Sequence, residues 1–387
     1  MANRPLAGVR VLDLSRVLAG PLSGMVLADL GADVIKIERP GTGDGTRDWG
    51  MEIGPQESTY FHAFNRSKRS VTADFADHAD RALIRSLASE ADILVENFLP
   101  GTLERFGLDY EHLRQANPRL VYCAIGGYDA AGAEAGRAGY DLVLQGESGV
   151  MATNGHADGP PLKFGLPVVD VITGMYAVQA MLGALYAARN SGRGMRIDLS
   201  LADCGIALTS YFGLEALLQR QEMPRYGNMH SSIVPYGVFE AEDGPFVLAA
   251  GTTQQFRKLC IDVLGRLDLA DDARFATNLD RVRNRVVLQA ELALEFAHRR
   301  RQVLLSQLAA LGIPAGEVAG LYEALSGPRS AAMTTSYRDA GKPKAPGLLP
   351  PWRLDGIRPP ARRPPQLGEH NEEVREWRWS RPVVSTN

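Results

Sequence analysis

In the stretch Pro167–Leu182 (PVVDVITGMYAVQAML) one carboxylate, Asp170, stands among apolar residues where a helix begins. A carboxylate at that place can cap the helix by accepting a backbone N–H. It could also do chemistry, since an apolar setting is an unusual place for a charged group that does nothing else. The local pattern reads as a cap. Both roles are compatible, because the positive end of a helix stabilises a carboxylate and fixes its direction. A second group of residues suits an anionic ligand. Arg16, Arg39, Arg47 and the run Asn65-Arg66-Ser67-Lys68-Arg69 fall at predicted strand ends, and Arg105 follows Asn97-Phe98. Gathered at one edge of an open sheet, such cations would meet phosphates; taken singly, each reads as a solvated surface residue.

Other chemistries find little support. The seven histidines are scattered without HxxxH or HExxH spacing, so no metal site is expected. There is no GxSxG elbow. The first strand-to-helix turn, Ser15–Pro21, lacks GxGxxG, and no GxxxxGK[ST] occurs. Glu38 stands where a ribose-binding acid would, but without the glycines it reads as a surface residue or an ion-pair partner. Cys123, Cys204 and Cys260 lie beside apolar residues and are expected to be buried free thiols. A net charge of −3 and a pI of about 6.2 argue against nucleic acid as a partner. The N-terminus has no signal-peptide core and no apolar run reaches ~18 residues, so a cytoplasmic location without membrane contact is expected.

The elements that must position these residues follow from periodicity. Arg10–Ser15 reads as a strand, Pro21–Leu30 as a helix and Asp33–Glu38 as a second strand, which makes a compact βαβ unit. Strands at Ser70–Phe75, Asp92–Phe98 and Leu120–Ile125 and a helix at Asp77–Glu90 continue the pattern. Apolar residues at 171, 175, 178, 182 and 186 have helical spacing, closed by Arg189–Gly194. Arg196–Leu201 is a predicted strand and Ala202–Arg220 a long helix. The character changes near residue 225: a hairpin at Tyr236–Ala250 turns at Glu242-Asp243-Gly244, and helices follow at Gln255–Leu264, Leu279–Arg299 and Gln302–Leu311. The expected layout is a large α/β domain over 1–200, a linker helix over 201–225, a small α+β domain over 226–312, and a return segment over 313–387.

Several stretches together resemble the class III CoA-transferases, the formyl-CoA and carnitine-CoA transferase family. They are VLDLSRVLAGP, LADLGADVIKIERPGTGDGTR, NRSKRSV, ADILVENFLPGTLERFGLDYE, NPRLVYCAIGGY, AGYDLVLQ, GLPVVDVITGMYA and PPQLGEHNEEV, in order from residue 10 to about residue 374. RVLAGP, ESTYF, HSSIVPY and AGTTQQF point more finely to the branch that moves CoA between succinyl-CoA and dicarboxylates such as glutarate. The resemblance implies a Rossmann-like α/β domain built from both chain ends, an inserted small domain, and a homodimer of two interlocked chains.

It also implies roles. Asp170 would be the nucleophile, forming first an anhydride and then an aspartyl-CoA thioester, with Gly251 and Thr252 as an oxyanion or lid loop. That loop carries Thr252-Thr253 where many members have glycines or Asn-Asp; its plain reading is a connection with Thr253 capping the next helix. CoA, a substrate rather than a bound cofactor, would be held by Val17, Leu18, Ala19, Arg39, Lys68, Asn97, Phe98, Arg105, Arg137 and Tyr140. Arg47, Trp49, His230 and Ser232 would form the acyl and acceptor pocket. Two alternatives stay open: an α-methylacyl-CoA racemase-like isomerase and a non-catalytic CoA-binding protein. The racemases use a histidine in a GHD motif, which here reads Gly139-Tyr140-Asp141. Tyrosine, with an ordinary pKa near 10, is a poor base at neutral pH.

Overall fold

A computed structural model of the chain describes residues 4–379. Its described residues divide into two compact units, one formed by residues 4–151, Lys163–Gln221 and residues 328–379, the other by Ala152–Leu162 and Glu222–Gly327.

The first unit is built on six strands: β1 (Arg10–Asp13), β2 (Asp33–Glu38), β3 (Arg69–Thr72), β4 (Ile93–Glu96), β5 (Val121–Gly126) and β6 (Arg196–Ser200). They lie in the order β3-β2-β1-β4-β5-β6, and every neighbouring pair is parallel. The helices that matter for the site are α1 (Ala19–Asp29), α2 (His78–Glu90), α3 (Asp141–Glu147), α4 (Val168–Ser191), α5 (Leu201–Leu208) and α6 (Ser210–Gln219).

Parallel strands covered on both faces read as near-continuous apolar runs. Alternate residues feed two cores: Val11, Val34, Ile93 and Val95 face α1 and α4, while Leu12, Ile35, Leu94 and Val71 face α2. The chain leaves β1 toward β2 on one side and returns to β4 on the other. The loops after β1 and β4 therefore part at the carboxyl ends of the strands and leave a crevice, the usual ligand position in open α/β sheets. Helix α4 reaches that crevice by packing closely on α1: a Cβ at Gly174 would stand 2.8 Å from the Ala19 carbonyl oxygen.

Several predicted helices differ in the structure: that expected over Leu279–Arg299 is interrupted at Asn284, between Asn278–Arg283 and Arg285–Phe296. The one expected over 202–220 is broken between α5 and α6 with a 79° bend. The Thr209 hydroxyl donates to the Ile206 carbonyl at 2.7 Å, and Ser210 takes φ +54°, so side-chain bonding displaces the regular ladder there. Helix α4 starts at Val168, before the first residue of the apolar stripe.

The C-terminal segment covers the outer edge of the sheet. Gly368 N–H donates to Ser70 Oγ, Thr72 N–H donates to Asn371 Oδ1, and Arg69 pairs with Glu373 at 3.0 Å. In the second unit, β7 (Tyr236–Ala241) and β8 (Gly244–Ala249) form the hairpin, and β9 (Ala315–Glu317) joins β8 antiparallel. Its core centres on Phe239, Phe246 and Phe296.

Candidate active site

A cavity of ≈ 480 Å³ opens at the crevice of the first unit. Val17, Leu18 and Ala19 from the β1–α1 junction, Asn97 and Phe98 after β4, Tyr140 before α3, Trp49, and Asp170 in the first turn of α4 all line it. A second cavity of ≈ 250 Å³ shares Arg16 and Phe98 with the first and adds Arg39, Phe75 and Phe106. Phe75 lies 5.6 Å from Phe98 and 5.8 Å from Phe106 between ring centres, and the Arg16 guanidinium stands 4.6 Å over Phe98. This is an aromatic slot whose lining holds Arg16, Arg39 and Lys36 together with the carboxylates of Glu38, Asp44 and Asp74.

Asp170 is not the cap of its helix. It is the third residue of α4, behind Pro167, which caps nothing with its side chain. The capping carboxylate belongs to Asp141: its Oδ1 accepts the N–H of Val169 at 2.8 Å and of Asp170 at 3.2 Å. Asp141 can stand there because Gly127 and Gly139 cross in contact. A Cβ on Gly127 would fall 2.7 Å from the Gly139 Cα. The Asp170 side chain is thus left for other work.

Its protonation also departs from expectation. Burial pushes the Asp170 carboxyl up to about 7, and the Asp141 carboxylate adds to the rise. Near neutral pH it is therefore only partly ionised; desolvation and a like charge outweigh the helix end. The Tyr60 phenol is pushed up to about 12, by burial first and then by Asp170, Asp141 and Asp44. Trp49 meets Tyr60 edge-on at 5.4 Å. A half-buried carboxylate with a raised pKa, facing a cavity, can act as a covalent nucleophile.

The description CoA-transferase family III matches residues 6–371. The chain belongs to that family and is a transferase. The succinate–glutarate CoA-transferase of Agrobacterium fabrum is 40% identical, covering 97% of this chain and 96% of its own. The mouse succinyl-CoA:glutarate CoA-transferase is 38% identical over 96% of this chain and 86% of its own. A crystal structure of a CAIB/BAIF family protein from Brucella suis superposes with a TM-score of 0.85 at 41% identity, covering 97% of this chain and 99% of that one.

Not every cation expected at the CoA site of this CoA-transferase is free to serve. Lys68 is buried and donates to Asp13 Oδ2, the Pro21 carbonyl and Asn65 Oδ1 at 2.8–2.9 Å, which leaves no donor for phosphate. Arg66 pairs with Asp29 and Arg69 with Asp33. Arg47 is 2% exposed, makes a two-nitrogen pair with Glu38 and lies 3.7 Å over Phe61, so it does not form part of an acceptor pocket. Glu38 is correspondingly a buried ion-pair partner and not a surface residue. Arg137 is paired with Glu134 and Glu147 on the surface, outside both cavities. Arg105 is exposed on the turn between Leu103 and Gly107, also outside both linings. Arg16 and Arg39 remain at the cavities. Arg47→Met leaves Glu38 buried without its guanidinium, and a loss of about 3–5 kcal/mol follows. Urea unfolding will read that loss, and the acceptor KM of the folded enzyme stays unchanged.

The remaining expected residues belong to the second unit. His230 accepts the Ser232 N–H at 3.1 Å, and its ring lies 5.0 Å from Tyr236. Thr252, and not Thr253, caps the following helix, in a reciprocal box with Gln255. Gly251 precedes the box.

Several residues of the first cavity were not anticipated: Glu96, Tyr122, Tyr128, Arg196 and Asp198. Burial pushes the Glu96 carboxyl up to about 7 against the opposing Phe98 N–H. Its only sequence signal is position, as the last residue of the run ILVE.

Proposed function

We propose that the chain moves CoA from succinyl-CoA to a free dicarboxylic acid through covalent work at Asp170. The observation that carries this reading is the Asp170 carboxylate, released from capping by Asp141 and standing in the large cavity of a family III CoA-transferase. Asp170 attacks the thioester carbonyl, the C–S bond breaks, and CoA leaves as the thiolate, giving an acyl-aspartyl anhydride. The thiolate attacks the aspartyl carbonyl, releasing succinate and leaving an aspartyl-CoA thioester. The acceptor carboxylate attacks that thioester and again expels the thiolate. Thiolate attack on the acceptor acyl carbon then forms the new acyl-CoA and frees Asp170. No external base is needed at any step.

The base of CoA fits the Phe75–Phe98–Phe106 slot with Arg16 and Arg39 at its phosphates, and the chain of CoA runs past Val17, Leu18 and Ala19 toward Asp170. Trp49 walls the acyl end. Gly251 and Thr252 as the oxyanion loop, and His230 and Ser232 as partners of the distal carboxylate, complete the proposal. Two chains interlock: Met175, Tyr176 and Tyr186 of α4 and Leu214, Leu217 and Leu218 of α6 are exposed apolar side chains that a second copy would cover.

The test incubates the enzyme with succinyl-CoA and a panel of free acids, including glutarate, itaconate, citramalate, malate and mesaconate, and reads new thioesters by mass spectrometry. Exchange with one or more dicarboxylates is expected, from a protein that sediments as a dimer. Absence of exchange together with scrambled α-proton stereochemistry would favour an isomerase.

A further inference from the structure

The loop that joins β1 to α1 is held in an unfavourable conformation. Val17 has φ +70°, in the left-handed region that a β-branched side chain avoids. Such a conformation persists only where the surroundings over-determine it, and it gathers at functional sites. The surroundings here can be named. The Val17 N–H lies 3.3 Å from each carboxylate oxygen of Asp44. Asp44 is 1% exposed, pairs with Lys36 at 3.0 Å, and accepts both the N–H and the hydroxyl of Thr46. Lys36 Nζ also donates to the Ser15 carbonyl at 2.6 Å. On the other side, Asn97 closes a two-way bond with Arg16, accepting its N–H at 2.8 Å and donating to its carbonyl at 2.7 Å. Three successive residues, 15 to 17, are thus each tied to a different side chain.

We infer that Asp44 is a positioning residue for the transfer reaction: it holds Val17 left-handed and so fixes the start of α1 as the wall that faces Asp170. An ion pair serving stability alone has no need of a strained neighbour, and Lys36 and Thr46 would satisfy Asp44 without Val17. With the tether cut, Val17 relaxes to negative φ, and the backbone of Arg16–Leu18 turns away from the cavity that it lines. A displacement of about 1 Å in such a wall costs on the order of 100-fold in rate. The inference rests on the transferase reading for its kinetic consequence, but not for the tether itself.

Asp44→Ala lowers kcat/KM for succinyl-CoA by about 100-fold. Adding Val17→Gly to it restores at least about tenfold, because glycine takes positive φ without help. Val17→Pro leaves the buried ions intact, removes the N–H that Asp44 accepts and forces φ to about −65°; it lowers the unfolding midpoint, and the folded protein loses activity to a similar extent, which serves if Asp44→Ala does not fold. Val17→Pro within about threefold of wild type, or a folded double variant no better than Asp44→Ala, would overturn the inference. Amide hydrogen exchange at Val17 in the ligand-free protein gives a reading independent of substrate. Protection falls at least about tenfold in Asp44→Ala, and unchanged protection would refute the tether. A wild type inactive with every acid sinks the transferase reading alone, and the exchange result still judges the tether.

Discussion

Asp170→Ala will lose CoA exchange by on the order of 10⁴-fold or more, the scale seen when a covalent nucleophile is removed, while CoA itself still binds within about threefold. The two readouts separate because the aromatic slot and the loop after β1, where CoA is proposed to sit, do not depend on Asp170. Hydroxylamine added during turnover gives a direct check. It intercepts an aspartyl thioester or anhydride and leaves a hydroxamate on the peptide carrying Asp170 in the wild type, and none in the variant. Residual exchange above about 1% of wild type in Asp170→Ala would mean that another group carries the acyl transfer.

The second large effect is on pH. With the Asp170 carboxyl pushed up to about 7 by burial and by Asp141, only the ionised fraction can attack. Accordingly kcat/KM rises about tenfold per pH unit on the acid side and levels off above about pH 7. Asp141→Asn keeps an oxygen for the N–H groups of Val169 and Asp170 but removes the neighbouring charge. The acid limb then moves to lower pH. A limb that does not move assigns the titration to another group, with Glu96 the next to test. The same shift has a stability sign. The folded pKa lies above the unfolded one, so the native state holds the extra proton between about pH 4 and 7. Asp170 therefore costs nothing below that window, and its burial opposes folding increasingly as pH rises through it. At about 1.4 kcal/mol per pKa unit the ceiling is about 4 kcal/mol. Partial exposure of Asp170 cuts this to roughly 2 kcal/mol, which Asp170→Asn gains at pH 8 and not at pH 4.

The sheet was legible because its strands are covered on both sides: RVLD, DVIKIE and ILVE stand out as apolar runs whatever the rest of the chain does. Asp170 as the reacting carboxylate is implied by the family resemblance, and the fold sets it in the lining of the first cavity. What the linear pattern missed was non-local. The cap of α4 comes from Asp141, 29 residues before Asp170. Lys68 finds Asp13 at a separation of 55 residues, and Arg66 finds Asp29 at 37. In a string of letters such cations look solvated and available; only the fold reveals that they are already paired. The raised pKa of Asp170 is of the same kind, since burial is a property of the neighbours and not of the residue.

The strand β3 and the segment that covers it are made at different times. Ser70 and Thr72 bond to Gly368 and Asn371, about 300 residues further along. At about 5–20 residues per second of synthesis, the outer edge of the sheet waits roughly 15–60 s on the ribosome before its cover emerges. During that interval the nascent chain presents an open row of backbone donors and acceptors beside an apolar core, the kind of edge that recruits other strands. Slower translation between β3 and the C-terminus lengthens that exposure, and a lower soluble yield is the expected result.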